Sequence, residues 1–259
     1  MRLIALPAFD DNYIWTLADD AGHALVVDPG DAAPVLAAAD AGLQPVAVLI
    51  THHHGDHIGG LPDLLARWAD LAVYAPDDAR IAHATRRVRE GDRVAVPALG
   101  QAFDVLEIPG HTRSHIAYLQ RDAADPLLFC GDTLFHLGCG RLFEGTPAQM
   151  LASLERLAAL PDATHVCCTH EYTLSNARFA LAVDPDNAAL QTEAEAARRL
   201  REAGEPTLPT RLSAQRAANP FLRSDTATVR TAVERHAGRP LASREDVFAE
   251  LRRWKDGFR

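Results

Sequence analysis

The amino-acid sequence predicts an α+β fold in which β-sheets are covered by helices, followed by a region made of helices alone. Two observations lead to this prediction. Short apolar runs broken by Gly, Pro and Asp dominate residues 1–172, with fewer helical patterns between them. After Tyr172 the strand-like runs stop, and the remaining segments read as helices. We therefore expect two domains, residues 1–172 and residues 173–259.

The strand predictions depend on short apolar runs that end at turn-forming or charged residues. Runs of this kind are too short for amphipathic helices, and several are rich in β-branched residues. The candidates, in chain order, are Leu3–Leu6, Ile14–Leu17, Ala24–Val27, Val46–Ile50, Leu71–Tyr74, Arg93–Val96, Phe103–Ile108, Ile116–Leu119, Leu127–Cys130 and His165–Cys168.

The helix predictions depend on longer runs with apolar residues every three or four positions. The clearest one opens at Thr146 and Pro147, an N-cap residue followed by proline at the first helical position. Its apolar face includes Met150, Leu154 and Leu157. The other candidates are Ala32–Ala41, Ile58–Ala69, Thr173–Val183, Asn187–Ala203, Ser224–His236 and Arg244–Lys255.

Composition narrows the functional class. The chain has 259 residues and a formal net charge of -9, so it is a poor candidate for binding nucleic acid. Cys130, Cys139, Cys167 and Cys168 match neither a disulfide framework nor a zinc finger, which favours a reducing compartment. No signal-peptide pattern and no apolar run of membrane-spanning length is visible. We expect a cytoplasmic monomer without nucleic-acid or membrane partners.

The strongest chemical signal is the run Thr51-His52-His53-His54-Gly55-Asp56-His57, directly after the predicted strand Val46–Ile50. A strand fixes the backbone there, while the side chains emerge at the edge of the sheet. His52, His54 and Asp56 are spaced by two and would point to one side of an extended chain. Imidazole and carboxylate groups bind zinc, manganese and iron. A His-rich surface turn is the alternative, but such a set is hard to place in a core without a metal.

Three further candidate ligands each follow a strand-like run: His111, Asp132 and His170. A lone histidine in such a place is usually a surface or core residue, but the His-rich run changes that interpretation. A closed zinc site uses about four ligands. The combined set is too large for one zinc ion and suits two metal ions that share a bridging carboxylate. It consists of His52, His54, Asp56, His57, His111, Asp132 and His170.

The metal-ligand motif resembles that of the metallo-β-lactamase superfamily, and other stretches resemble the glyoxalase II family within it. These stretches are Leu128–Phe135, Gly138–Gly145, His170–Asn176 and the ending Leu251–Phe258. The resemblance covers essentially the whole chain. It implies a four-layer αββα domain followed by an α-helical domain. It also implies hydrolysis of S-lactoylglutathione, a 2-hydroxyacylglutathione thioester, to D-lactate and glutathione in methylglyoxal detoxification.

The resemblance also implies how the ligands divide between two ions. They are His52, His54 and His111 for the first ion, Asp56, His57 and His170 for the second, and Asp132 as the bridge. A hydroxide between the ions would attack the thioester, oriented by Asp56 and Asp132. We expect two divalent ions per chain, with zinc favoured over iron or manganese. No Gly-x-Ser-x-Gly motif supports a serine nucleophile instead.

A glutathione site of cationic and aromatic side chains is implied in the same way. Arg252 and Lys255 are three apart, share one face of the last predicted helix and would pair with a carboxylate of glutathione. Phe143 stands where relatives carry tyrosine, so it packs against substrate without donating a hydrogen bond. Ser114 replaces a glycine of the family, and we expect only a local backbone effect. The implied substrate-binding residues are Arg141, Phe143, Tyr172, Arg252 and Lys255.

Several alternatives stay open. A mononuclear iron persulfide dioxygenase shares the superfold but would not need the second ligand set. A lactonase or β-lactamase would not need the helical tail, and a non-catalytic metal-binding module would not need the complete ligand set. Among nearby polar residues we expect His53 to point away from the metals, His115 to be structural or to support a ligand, and Asp28 to be structural and close to the metals.

Overall fold

The computed structural model describes residues 1–258 and has the predicted α+β composition. The chain divides into two compact units. Unit 1 comprises residues 1–107 and 114–131, and unit 2 comprises residues 108–113 and 132–258. These limits differ from the predicted domains, and the boundary between residues 172 and 173 stays a prediction. No helix among the described residues is long and apolar enough to cross a membrane.

Unit 1 contains a six-stranded sheet in which the strands follow one another in chain order. The first two strand pairs are antiparallel, and the following three are parallel. The parallel strands therefore end at one edge, where the His-rich run begins. The strands are β1 (Arg2–Ala8), β2 (Asn12–Ala18), β3 (His23–Val27), β4 (Gln44–Leu49), β5 (Ala72–Pro76) and β6 (Arg86–Val88).

Helices cover one face of this sheet. They are α1 (Ala32–Asp40), α2 (Gly55–Ile58) and α3 (Leu61–Arg67). Val35 of α1 and Leu64 of α3 are buried in one apolar cluster with strand residues. Burial of these side chains is the main favourable term for this layer.

A second group of strands in unit 1 is antiparallel and runs β7 (Arg93–Val96), β8 (Gln101–Glu107), β9 (Ile116–Gln120) and β10 (Leu127–Gly131). A 3₁₀ turn, Pro97–Leu99, joins the first two of these strands. The buried hydroxyl of Tyr118 on β9 donates to the backbone carbonyls of Ile50 and Tyr74, at 3.1 Å each. The two groups of strands in unit 1 are thus fixed to each other beside the end of β4.

Unit 2 is mainly helical. Its strands are short: β11 (Leu134–Phe135) pairs with β12 (Gly138–Cys139), and β13 (His165–Cys168) pairs with β14 (Thr210–Arg211). Its helices are α4 (Pro147–Ala158), α5 (Thr173–Val183), α6 (Ala188–Glu202), α7 (Leu212–Ala218), α8 (Ala227–Ala237) and α9 (Arg244–Gly257).

Local signals in the sequence define the helix starts in unit 2. Thr146 and Gln149 form a reciprocal capping box at α4, and Ser243 and Asp246 form another at α9. The Phe179 ring of α5 packs against Phe221 and Trp254, with centroids 6.0 and 5.4 Å away. These aromatic contacts hold α9 against α5.

Every predicted strand and helix is present: Arg93–Val96, His165–Cys168 and Thr173–Val183 have the predicted bounds, and the others have shifted ends. The predicted helix Ile58–Ala69 is shorter than expected, because only α3 (Leu61–Arg67) lies inside it, and Ile58 ends the separate, unpredicted turn α2. A Cβ at Gly60 would lie 2.6 Å from the backbone N of Ala32 and 2.7 Å from the carbonyl O of Pro29, so the chain bends closely past the loop before α1. The other elements not predicted are short: β6, β11, β12, β14, α7 and the 3₁₀ turn.

Candidate metal centre

Four of the predicted metal ligands follow β4 in unit 1. His52 and His57 are fully buried, whereas His54 and Asp56 are partly accessible. His54 is the extended N-cap residue of α2, and Asp56 lies in its first turn. The predicted extended alternation therefore holds for His52 and His54 only, because the chain turns into a helix at Gly55. Asp56 and His57 therefore lie on a helical turn and not on an extended chain.

The ligand atoms in unit 1 form two neighbouring pairs, and each pair is spaced like two ligands of one metal ion. Nε2 of His52 lies 3.1 Å from Nδ1 of His54, and Nε2 of His57 lies 3.6 Å from Oδ2 of Asp56. Two ligands about 2 Å from a tetrahedral ion are about 3.4 Å apart. Each neighbouring pair thus has the separation of two ligands on one metal.

A buried carboxylate behind these residues orients the histidines. Asp28 accepts hydrogen bonds from the backbone N–H and the hydroxyl of Thr51, at 2.7 Å each, and its Oδ2 lies 3.0 Å from Nδ1 of His57. The Thr51 hydroxyl also lies 3.1 Å from Nδ1 of His52. Because a carboxylate only accepts, Nδ1 of His57 carries the proton and Nε2 is left to bind a metal. Asp28 is therefore structural and close to the ligands, as expected.

A glycine makes room for this arrangement. A Cβ on Gly30 would overlap the backbone oxygen of Asp56. The loop after β3 can approach α2 only without a side chain at that position. A further contact could not be predicted from the sequence: the Nδ2 group of Asn12 donates to Oδ2 of Asp56 at 3.2 Å.

The remaining histidines of this region have structural neighbours. His53 Nδ1 lies 3.5 Å from Asp78 Oδ2, and the Ser114 hydroxyl donates to the same oxygen at 2.6 Å. Hydrogen bonds from Arg80 and Ser114 hold the pKa of Asp78 well below its usual range, despite its burial. The ring of His115 stacks on that of His52, with centroids 4.5 Å apart. Ser114 thus supplies a partly buried hydrogen bond, which exceeds the local backbone effect that we expected.

The other three predicted ligands lie in unit 2. Oδ2 of Asp132 is 3.4 Å from Nε2 of His111 and 3.3 Å from Nε2 of His170. Nδ1 of His111 lies 2.9 Å from the carbonyl oxygen of Arg141, so this nitrogen donates and Nε2 faces Asp132. One carboxylate oxygen therefore lies within ligand-to-ligand distance of two imidazoles.

The loop 138–145 lies along these ligands. A Cβ on Gly140 would overlap the backbone oxygen of Asp132, and one on Gly138 would lie 2.5 Å from the Asn176 amide. The backbone N–H groups of Phe143 and Glu144 donate to the carbonyl of His111, at 3.2 and 3.3 Å. The glycines of this motif are thus explained by close backbone approach.

Two exposed aromatic side chains cover the histidines of unit 2. Tyr172 stacks on His170, with centroids 4.7 Å apart and planes 2° apart. Phe143 is 63% exposed and meets the His111 ring edge to face at 5.2 Å. Phe135 also contacts the ring of Tyr172, at 5.4 Å. Apolar surface therefore lies beside the ligands, where an acyl group can pack.

The predicted cations of α9 have different environments. Arg252 is buried, and its Nη1 donates to the carbonyl of Cys139 at 2.7 Å. Burial raises the pKa of the Cys139 thiol to about 11, although Arg252 opposes the shift. Lys255 is half-buried and donates to the carbonyl and hydroxyl of Ser175, at 3.0 and 3.2 Å. Burial, and then the nearby Arg252, lower the pKa of Lys255 to about 8.

The donor set as a whole fits divalent metal ions. Within unit 1, and likewise within unit 2, neighbouring histidine and aspartate ligand atoms lie 3.1 to 3.6 Å apart, close enough to hold an ion. Imidazole nitrogen and carboxylate oxygen suit zinc, iron and manganese. Glu171, the acidic neighbour of His170, instead accepts from the backbone N–H of Thr207 at 2.8 Å.

Comparison with known proteins gives consistent matches over the whole chain. The family model for the hydroxyacylglutathione hydrolase C-terminus matches residues 171–258, and the model for the metallo-beta-lactamase superfamily matches residues 12–170. A hydroxyacylglutathione hydrolase from Xanthomonas campestris pv. campestris (strain B100) is 59% identical over 260 residues, which is 100% of both chains.

Solved structures show the same fold. The crystal structure of ETHE1 from Myxococcus xanthus is 26% identical, with a TM-score of 0.64 over 97% of this chain and 90% of the other. The structure of TTHA1623 in a di-iron-bound form is 30% identical, with a TM-score of 0.54 over 66% of this chain and 92% of the other. The fold is thus the metallo-β-lactamase fold with a C-terminal helical region.

Proposed function

The chain belongs to the hydroxyacylglutathione hydrolase family, thioester hydrolases of the metallo-β-lactamase superfamily, and on that premise we propose that it hydrolyses S-lactoylglutathione to D-lactate and glutathione at a centre of two divalent metal ions. Its role would be the detoxification of methylglyoxal. The observation that carries the proposal is the complete set of histidine and aspartate ligands, with ligand-to-ligand separations of 3.1 to 3.6 Å inside unit 1 and inside unit 2. A one-metal enzyme has no need for the second set.

The proposed ligands are divided between the ions as follows: His52, His54 and His111 for one, Asp56, His57 and His170 for the other, and Asp132 for both. The geometry of Asp132 supports a bridging role. His111 and His170, assigned to different ions, both lie next to its Oδ2 atom. A carboxylate with one imidazole on each side of a single oxygen is what a bridge requires.

Two divalent ions held there would supply a hydroxide near neutral pH and polarise the thioester carbonyl. The protein contributes orientation. Asp28 and the Arg141 carbonyl fix the imidazoles of His57 and His111, while Asn12 holds Asp56. Asp56 and Asp132 are proposed to orient the attacking hydroxide. The glutathione thiolate leaves without a protein acid because the pKa of a thiol is about 8.5.

No protein nucleophile is proposed. Cys139 lies in the loop beside the ligands, but it is buried and its pKa of about 11 keeps it a neutral thiol. A neutral thiol is a poor nucleophile at neutral pH.

The glutathione moiety is proposed to lie on the cationic and aromatic side chains of unit 2. Lys255 and Arg141 would meet a carboxylate directly, since both are accessible. Arg252 would contribute its positive charge without a direct hydrogen bond to the substrate, because its own hydrogen bonds go to protein groups. Phe143 and Tyr172 would pack against the tripeptide and the acyl group, next to the ligands that they cover.

Zinc is the proposed metal, with iron or manganese as alternatives. We also propose a monomer that works in the cytoplasm. Elemental analysis of the purified chain tests the identity of the metal, and light scattering tests whether the chain is a monomer.

The deciding experiment is hydrolysis of S-lactoylglutathione, followed by loss of thioester absorbance, with and without a chelator. We expect rapid turnover that the chelator abolishes and that added zinc restores, together with about two metal ions per chain. Metal-replete protein without turnover would refute the substrate. About one iron per chain with oxygen consumption on glutathione persulfide would instead support the dioxygenase alternative.

A further inference from the structure

The last turn of α9 carries a carboxylate inside a cluster of cations. Asp256 follows Lys255 directly and lies one helical turn after Arg252. Its Oδ1 atom accepts a hydrogen bond from Nη2 of Arg252 at 2.9 Å and lies 3.6 Å from Nε of Arg141. One acidic side chain therefore contacts two of the cations assigned to the substrate.

The contacts of Arg252 make this carboxylate important for the shape of the cluster. Arg252 is buried, its Nη1 is bound to the carbonyl of Cys139, and its guanidinium lies over the Phe221 ring at 5.1 Å. Asp256 accepts a hydrogen bond from the Nη2 atom. A buried guanidinium held in this way keeps its position, so the loop at Cys139 and the end of α9 are fixed together.

Lys255 is surrounded by the charged side chains of the same cluster. Arg252 and Asp256 on its own helix, Arg178 on α5 and Arg141 in the loop 138–145 all act on it electrostatically. Its ammonium also contacts Ser175 and the ring of Phe179 from α5. The three arginines disfavour a charged lysine, and Asp256 is the group that favours it.

We propose that Asp256 is an internal counter-ion of this cation cluster: it pairs with Arg252 and Arg141, competes with the substrate carboxylate for them and sets the charge that glutathione meets at Lys255. This inference rests on the proposed function. Asp256 does not touch the reacting atoms. It lowers the net positive charge of the cluster at neutral pH, and it keeps Lys255 protonated to a higher pH.

The test compares two neutral replacements on one helix. Asp256→Asn removes the counter-ion and keeps an acceptor for Arg252. Glu250→Gln removes the same charge from α9, where Glu250 pairs with Arg239 and Arg253, at 2.6 and 2.9 Å, outside the cluster. The probe is S-methylglutathione, which has no thiol to titrate and cannot be hydrolysed. Its Kd is measured by calorimetry from pH 6.5 to 8.5.

The expected result has two parts. At pH 6.5, where Lys255 is charged in every variant, Asp256→Asn binds the probe about threefold more tightly, because a competing anion is gone. As pH rises, its affinity falls earlier than in the parent, by about half a pH unit, because Lys255 loses its proton sooner. Glu250→Gln keeps the parent affinity and the parent pH profile. Asp256→Glu retains the charge and restores the parent profile.

Each outcome decides a separate point. If Asp256→Asn and Glu250→Gln give the same Kd and pH profile, or if Asp256→Asn binds more weakly at pH 6.5, the inference is overturned. A parent that binds the probe but does not hydrolyse S-lactoylglutathione overturns the proposed function alone, and a parent that does neither overturns both. Asp256→Ser removes the same charge, leaves a hydroxyl acceptor and repeats the test if the asparagine variant does not fold.

Discussion

Oδ2 of Asp28 lies 3.0 Å from Nδ1 of His57, and both side chains are buried. Asp28 has a positive φ of 50°, an uncommon conformation for a residue other than glycine. The same carboxylate also accepts two hydrogen bonds from Thr51, the residue before the first proposed ligand. One buried group thus orients the proposed ligands at both ends of the His-rich run.

This relationship predicts the effect of Asp28→Asn. Oδ1 of Asp28 accepts from the Thr51 N–H, and Oδ2 accepts from the Thr51 hydroxyl and from His57. An asparagine must turn its NH₂ group towards one of these donors, so either the Thr51 N–H loses its acceptor or His57 loses its fixed tautomer. We expect affinity for the second metal ion to fall by about 10- to 100-fold, measured by competition with a chromophoric chelator. Asp40→Asn changes an exposed aspartate of α1 in the same way and should leave metal affinity unchanged. Equal metal affinity in the two variants would contradict the orienting role.

Asp132→Ala should lose metal and activity together. The change removes the oxygen that lies 3.4 Å from His111 and 3.3 Å from His170, so neither ion would keep its shared ligand. We expect elemental analysis to show the loss of at least one ion per chain and hydrolysis to fall by more than about 10²-fold. Asp122→Ala, at an exposed aspartate, is the control. Full activity after Asp132→Ala would rule out a bridging role for this residue.

Gly140→Ala should destabilise the protein and disturb the ligands together, because the new Cβ would overlap the backbone oxygen of Asp132. Relief of that overlap requires a backbone shift, which costs about 2 kcal/mol or more. We expect a Tm about 5 °C lower and weaker metal binding. Gly257→Ala places a methyl group in open space at the end of α9 and should leave Tm within about 2 °C of the parent. If Gly140→Ala melts like Gly257→Ala, the close approach at Gly140 does not matter for stability.

The main elements of the fold could be predicted because their signals are local. Apolar runs gave the ten longer strands, and N-cap residues such as Thr146 gave the helix starts. The short elements could not be predicted, since two-residue strands such as Leu134–Phe135 have no pattern of their own and exist only through pairing. The break between α2 and α3 depends on how closely the loop before α1 passes Gly60, which is a tertiary contact.

The proposed ligands could be selected from the sequence by their chemistry, because clustered histidine and aspartate at strand ends have few other uses. The groups behind them could not. Asn12 reaches Asp56 across 44 residues, and Asp78 meets Ser114 across 36 residues, with no spacing pattern in either case. The burial of Arg252 was also invisible, because residues 252 and 255 share a helix face whether the side chain binds substrate or protein.

Because Arg252 is buried and Lys255 is only half-buried, Lys255→Ala and Arg252→Ala should have different effects. Lys255 is half-buried and its side chain donates to Ser175 in α5, so its loss should raise KM by about tenfold with little change in Tm. Arg252→Ala leaves the Cys139 carbonyl and the Asp256 carboxylate without their donor, so we expect Tm to fall as well, by about 5 °C. Steady-state kinetics and thermal denaturation of both variants measure these two effects separately.

The pH dependence of KM should also depend on Lys255. With a pKa of about 8, Lys255 binds a carboxylate as a cation only below that pH. In the parent, KM should therefore rise above about pH 8, and in Lys255→Ala this rise should be absent. A rise of equal size in both would show that another group controls it.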